Sequence, residues 1–110
     1  MIRLTVDCSV FAIDPPQAVG RFSGEIEVLV VPRSGELISF PVVVPEVKAG
    51  SFPSQITVEA IVHVPATPDQ TATVLAMLKD VAVGSTREAK AVLMEMSKLP
   101  GFFSDYWDEQ

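Results

Sequence analysis

Residues 65–84, PATPDQTATVLAMLKDVAVG, decide the fold class that the sequence predicts. Thr67 can cap a helix, Pro68 suits the first helical position, and Gln70 completes a capping box with Thr67. Side chains that suit one helical face then recur at three- and four-residue spacing, at Thr71, Val74, Leu75, Leu78, Val81 and Ala82. Gly84 is a natural helix stop. The pattern therefore predicts a helix that begins after Thr67 and ends before Gly84.

A second helix is predicted directly after the first. Ser85 and Glu88 form another capping box in the stretch STRE, and the pair Pro100-Gly101 ends the helical pattern. One side of this helix is apolar and is expected to face the core, with Ala89, Val92, Leu93 and Met96.

The first half of the chain shows the period-two alternation of β-strands. Four strands are predicted, at about residues 2–10, 22–31, 37–44 and 55–64. Their inward positions are predicted to be Ile2, Leu4, Val6, Cys8 and Val10, then Phe22, Ile26, Val28 and Val30, then Ile38, Phe40, Val42 and Val44, and finally Ile56, Val58, Ala60, Val62 and Val64. The turn PRSGE (residues 32–36) predicts a hairpin between the second and third strands. Pro41 predicts that the third strand is either an edge strand or a bulged one, because proline cannot donate to a ladder.

The order of these elements predicts an α+β fold, since four strands precede two helices without βαβ alternation. We expect a four-stranded antiparallel sheet with the two C-terminal helices packed on one face, followed by a short aromatic C-terminal turn. We expect residues 1–110 to form a single domain, because the length suits one core and no linker interrupts the pattern.

Composition restricts the classes of partner. The net charge is −6, which argues against nucleic acid and against anionic membrane surfaces, because both are bound through clustered Lys and Arg. Cys8 is the single cysteine, so no internal disulfide can form. The N-terminus does not resemble a signal peptide, and no apolar run approaches the ~18 residues of a membrane-spanning helix. A cytoplasmic location is expected.

Catalytic and metal-binding patterns are sparse. One cysteine and one histidine cannot supply the usual ligand set of a zinc site, and no glycine-rich loop precedes a helix as a phosphate site requires. Cys8 and His63 could act as nucleophile and base, but strand parity places them on opposite faces of the sheet unless a bulge intervenes. We therefore expect neither an enzyme nor a cofactor.

The candidate partner-binding residues fall into two groups. The tail GFFSDYWDEQ (residues 101–110) holds half of the aromatic residues, and a helical turn would gather Phe102, Phe103, Tyr106 and Trp107 on one side. Its three carboxylates carry −3 of the net charge of −6. The tail can either pack on the core or bind a partner through Asp105, Tyr106, Trp107, Asp108 and Glu109. The second group lies on the polar sheet face, which can likewise be either plain solvated surface or a binding surface, at Glu25, Glu27, Glu59 and His63.

The predicted function is a small acidic binding module that neutralises or escorts a basic protein. Small toxin-neutralising proteins share this size and charge, and the analogy extends no further. One alternative is a subunit that assembles with copies of itself, for example a homodimer formed through an edge strand or the aromatic tail. A ligand-binding or enzymatic domain with a site at a subunit interface is the third interpretation.

Overall fold

A seven-stranded mixed sheet and a single helix make up the part of the chain that this computed structural model describes, residues 1–47 and 54–107. The predicted antiparallel sheet of four strands with two helices is therefore wrong. In chain order the elements are β1 (Ile2–Ala12), β2 (Gln17–Val28), β3 (Leu37–Ser39), β4 (Gln55–Val64), β5 (Thr73–Leu78), β6 (Val81–Val83), α1 (Thr86–Ser97) and β7 (Phe102–Tyr106).

β1 lies near the centre of the sheet. The strand order is β3-β4-β5-β1-β2-β7, and β6 also pairs with β1. β1 runs parallel to β5 and β6, whereas the other named pairings are antiparallel. Asp7 pairs with Met77, and three residues later Val10 pairs with Val81, four residues beyond Met77. β5 and β6 are thus one strand interrupted by a single extra residue near Lys79 and Asp80.

The first predicted helix is wrong, because residues 67–83 form a turn and two strands. Thr67 and Gln70 donate to each other's backbone oxygens over 2.8 and 3.2 Å, so TPDQ closes a hairpin between β4 and β5. A Pro-Asp pair suits the centre of a β-turn as well as the first turn of a helix. Alternate side chains of β5, including Ala76 and Leu78, are buried. The apolar residues fit both periods, and pairing with β1 and β4 favours the strand.

The predicted hairpin between the second and third strands is also wrong. Its turn is present, since the Glu36 N–H donates to Arg33 O over 3.0 Å and Gly35 has a φ of 93°. However, β3 has three residues and pairs with β4, with Ile38 opposite Ile56. The inward positions predicted for this stretch are nevertheless confirmed by their burial, at Ile38, Phe40, Val42 and Val44.

α1 confirms the second predicted helix. The Ser85 Oγ accepts a hydrogen bond of 3.2 Å from the Glu88 N–H, which satisfies one of the free donors of the first turn. The buried side of the helix is the predicted one, with Ala89, Val92, Leu93 and Met96. The Ser104 Oγ donates to Leu93 O over 2.7 Å and joins β7 to the helix.

The core lies on one face of the sheet. α1 covers the part of this face that contains β1, β2, β6 and β7, and residues 38–47 contribute further buried side chains. Three aromatic rings meet where α1 and residues 38–47 adjoin, with centroids 6.0 to 6.5 Å apart. They belong to Phe22, Phe40 and Phe102. The inward positions predicted for β1 are confirmed except at its first residue, since Ile2 is 37% exposed.

The C-terminal aromatic stretch is a strand and not the predicted helical turn. β7 is antiparallel to β2, so its successive side chains point to opposite faces of the sheet. Phe102 packs against the core, whereas Phe103 is 51% exposed on the other face. The aromatic residues of the tail therefore do not gather on one side, and they divide between core and surface.

Candidate functional site

A groove of about 560 Å³ lies between β2 and β3. This volume is within the range of about 300–1,000 Å³ that is usual for ligand-binding pockets. The groove exists because β3 pairs with β4 and leaves an open space where the sequence predicted a hairpin ladder. Residues from β2, β3, the connection between them and the loop after α1 form its walls.

One wall is the edge of β2 at residues 25–28. β7 pairs with β2 from Gly20 to Gly24 and extends no further along it. The chain enters β7 from α1 through Gly101, whose φ of 78° is in the left-handed region that favours glycine. Within the described ranges, the last four residues of β2 therefore have β1 on one side and the groove on the other.

The opposite wall is β3, which is held in place by the turn that precedes it. The Gly35 N–H donates to Val58 O over 2.7 Å, and the Ser34 Oγ donates to Glu59 O over 2.7 Å. Both acceptors belong to β4, where Glu59 is the extra residue of a β-bulge. The bulge frees this carbonyl from the ladder with β5, and the turn satisfies it. The turn at residues 33–36 is thus fixed to β4.

The floor of the groove is apolar. It is formed by side chains that also touch or belong to the core, at Ile26, Val28, Ile38, Phe40, Leu99 and Phe102. The rings of Phe40 and Phe102 meet edge to face with centroids 6.0 Å apart. This contact holds the two rings in place, so this part of the apolar surface is formed before any ligand arrives.

The rim of the groove is acidic. Glu25, Glu27 and Glu36 line it, and no Lys or Arg is among the described residues that do so. Glu25 forms an exposed ion pair with Arg3 at 3.4 Å, and the Arg33 N–H donates to the Glu36 carboxylate. Glu27 has no ion pair within residues 1–47 and 54–107. The rim therefore favours a cationic group.

The structure separates the predicted residues of the sheet face. Glu25 and Glu27 lie at the groove, but Glu59 and His63 belong to β4. His63 lines a separate shallow depression beside residues 31–34. The carboxylates of β2 and the two β4 residues therefore do not form the single surface that strand parity predicts.

The predicted tail residues that the structure describes lie on or directly after β7, which is the edge strand at the other end of the strand order from β3. Arg21 donates to Asp105 over 3.0 Å and to Asp7 over 2.9 Å, so this part of the tail is tied to β1 and β2. Tyr106 is partly buried against the core, and Trp107 follows it half-buried. The remaining two predicted residues, Asp108 and Glu109, lie outside the described residues.

Cys8 is enclosed in the core. Its Sγ donates to Lys79 O over 3.4 Å, at the interruption between β5 and β6. Burial, together with the negative charge of Asp80, raises the pKa of Cys8 to about 12, so the thiol is neutral near pH 7. The bulge in β4 reverses the predicted parity and puts His63 on the same face. However, Cys8 is two strands away and near the level of Val58, so the two side chains do not meet.

Residues 1–47 and 54–107 hold no group of three His, Cys, Asp or Glu side chains that could bind a metal ion. The 12 residues of α1 are too few to cross a bilayer, and this is the helix that the described ranges contain. Comparisons with protein-family models, curated proteins and solved structures found no match.

Sequence reasoning missed most of the groove. Glu36, Leu99 and Phe102 line it, and none of them was predicted as a site residue. The turn at residues 32–36 was a usable signal, because it places Glu36 across from the end of β2. We did not predict a groove there because the second and third strands were expected to pair with each other, and paired strands leave no space between them.

Proposed function

We propose that this protein is a non-enzymatic binding module that holds a basic and partly apolar segment of a partner protein in the groove between β2 and β3. One observation carries the proposal: among the described residues, three carboxylates and no cation line an open groove with an apolar floor. The net charge of −6 adds a long-range attraction for basic partners.

Floor and rim have different roles in this proposal. Burial of one Val or Leu side chain on the floor contributes roughly 1.5–3 kcal/mol, whereas an exposed ion pair at the rim contributes about 0.2–1 kcal/mol. Affinity therefore comes mainly from the partly exposed floor residues Ile26, Val28 and Phe102. Selection of Lys or Arg over acidic residues comes from the carboxylates.

The biological role follows from the same proposal. The bound segment would belong to a basic protein that this chain neutralises or escorts. We place the pair in the cytoplasm, where the single thiol of Cys8 would stay reduced.

A peptide titration followed by NMR tests the proposal. The probe is an eight-residue peptide of alternating Lys and Val with blocked ends, and the control peptide has Glu in place of Lys. We expect the basic peptide to shift the amide signals of the groove residues and the acidic peptide to leave them in place. Equal binding of both peptides, or no binding of the basic one, would refute the proposal.

A pair of charge variants locates the site. Glu27→Lys should weaken binding of the basic peptide about three- to tenfold, since it replaces an attraction by a repulsion. Asp69→Lys changes the net charge equally, but Asp69 lies in the turn between β4 and β5, away from the groove. The affinity of the Asp69→Lys control for the basic peptide should stay within about twofold of the wild type. An equal loss of affinity in both variants would show that only total charge matters.

A second candidate function is favoured by one observation. Apolar side chains remain on the sheet face that α1 does not cover, with Val62 41%, Met77 37% and Phe103 51% exposed. A second copy could pack on this face, which would make the protein a self-assembling subunit. Light scattering at increasing concentration tests this, and a constant monomer mass would exclude it.

A further inference from the structure

We infer that the partner segment binds as an added β-strand along residues 25–28 of β2, in line with β7. This inference rests on the proposed function and names the geometry of binding. It is carried by the exposed edge of β2, by the alternation of its side chains and by the charge at the rim of the groove.

The exposed edge is the first support. β7 occupies the edge of β2 up to Gly24, and Gly101 then turns the chain away. Residues 25–28 remain strand and stay paired with β1, and no strand of the described ranges pairs with their other edge, although Gly101 still lies beside the Glu25 carbonyl. At about 3.3 Å per residue this edge is about 13 Å long, enough for four residues of a second strand.

The side-chain alternation is the second support. Ile26 and Val28 continue the inward face and form part of the apolar floor, whereas Glu25 and Glu27 continue the outward face. A strand paired with this edge places its own side chains opposite these four. Its inward residues would then meet the apolar floor, and its outward residues would meet carboxylates. The segment that fits is therefore extended and alternates apolar with basic residues.

Charge decides between a foreign partner and a second copy of this chain. Two copies would bring net charges of −6 together, and β2 of a second copy at this edge would set its own Glu25 and Glu27 beside those already there. Like charges across a strand pair are destabilising. A basic partner removes this repulsion, so we assign the edge to a foreign segment.

An N-methyl scan of the alternating Lys and Val peptide tests strand addition with the 110-residue chain. Neighbouring backbone amides of a strand point to opposite sides, so only every second N–H of the peptide can donate to β2. We expect N-methylation at one set of alternate positions to weaken binding at least about tenfold, and at the other set by no more than about twofold. The largest amide shifts of the protein should fall on residues 25–28.

The outcomes distinguish the inference from the proposed function. If the unmethylated peptide does not bind, or binds without regard to Glu27, both are wrong. If it binds at the groove but the scan shows no alternation, strand addition is wrong and the proposed function stands. A dimer that forms through residues 25–28 in the absence of peptide would also overturn the inference, because a second copy would then fill the edge.

Discussion

Gly24→Ala is expected to destabilise the protein through the ring of Phe102. A Cβ at this position would lie 2.4 Å from Cγ and 2.5 Å from Cδ1 of that ring. Carbon atoms in ordinary contact are about 3.5–4.0 Å apart, so the ring must move by more than about 1 Å. It cannot move freely, because it packs against Phe22 and Phe40 at centroid distances of 6.5 and 6.0 Å.

The magnitude follows from three contributions. Overpacking in a core costs about 1–3 kcal/mol, and disturbing an aromatic pair costs about 0.5–1.5 kcal/mol. Replacing glycine stiffens the unfolded chain and returns about 0.4–1 kcal/mol. We therefore expect Gly24→Ala to lower the free energy of unfolding by about 2 kcal/mol, and Tm by about 8 °C for a domain of this size. Urea denaturation followed by circular dichroism measures the first quantity.

A double-mutant cycle isolates the cause. A Phe102→Ala background removes the three atoms nearest to this Cβ, so Gly24→Ala should be neutral or stabilising there. Gly84→Ala is the matched control: its nearest neighbour is the flexible Glu88 carboxylate at 3.2 Å, and its effect should stay within about 0.5 kcal/mol. If Gly24→Ala is harmless in the wild type, or costs the same in both backgrounds, the proposed ring contact is not its cause.

Three further predictions concern other parts of the fold. Cys8 has its pKa raised from 9.0 to about 12, so the folded chain keeps a proton that the unfolded chain loses. Unfolding free energy should therefore fall as the pH rises from about 9 towards 12, relative to Cys8→Ala over the same range, in urea titrations at each pH. Ser85→Ala removes the N-cap of α1 and should cost about 1 kcal/mol by thermal denaturation, with Ser85→Asp restoring most of it. Arg21→Met leaves Asp7 and Asp105 without their shared cation and should cost about 1 kcal/mol at low salt and less in 1 M salt.

Local signals explain the parts of the fold that were predicted correctly. α1 was identified from Ser85, Glu88 and a single apolar side, because capping and helical spacing involve residues within one or two turns. The alternation in β1 was equally clear, and the burial of Leu4 and Val6 agrees with it. These features depend on neighbours in the chain and are visible in any sequence that carries them.

The candidate site was only partly predictable. Glu25 and Glu27 were identified as partner-binding candidates, and the structure places both at the groove. The groove itself was not predicted, because it depends on the choice of β4 rather than β2 as the neighbour of β3. Nothing in the three residues of β3 determines that choice.

The sequence by itself determined the N-terminal strand, the inward side chains of residues 38–44 and the helix α1, since each rests on a local period or cap. Only the tertiary structure decided the secondary structure of residues 65–84. Their side chains satisfy both a helical and a strand period, and TPDQ suits a helix start and a β-turn alike. In the folded sheet β5 lies between β4 and β1, and β6 lies beside β1, so both pairing positions exist only once the chain has folded. Pairing there satisfies the backbone hydrogen-bonding groups of β5 and β6 and buries Ala76, Leu78 and Val81. Such non-local pairing outweighs helix propensity.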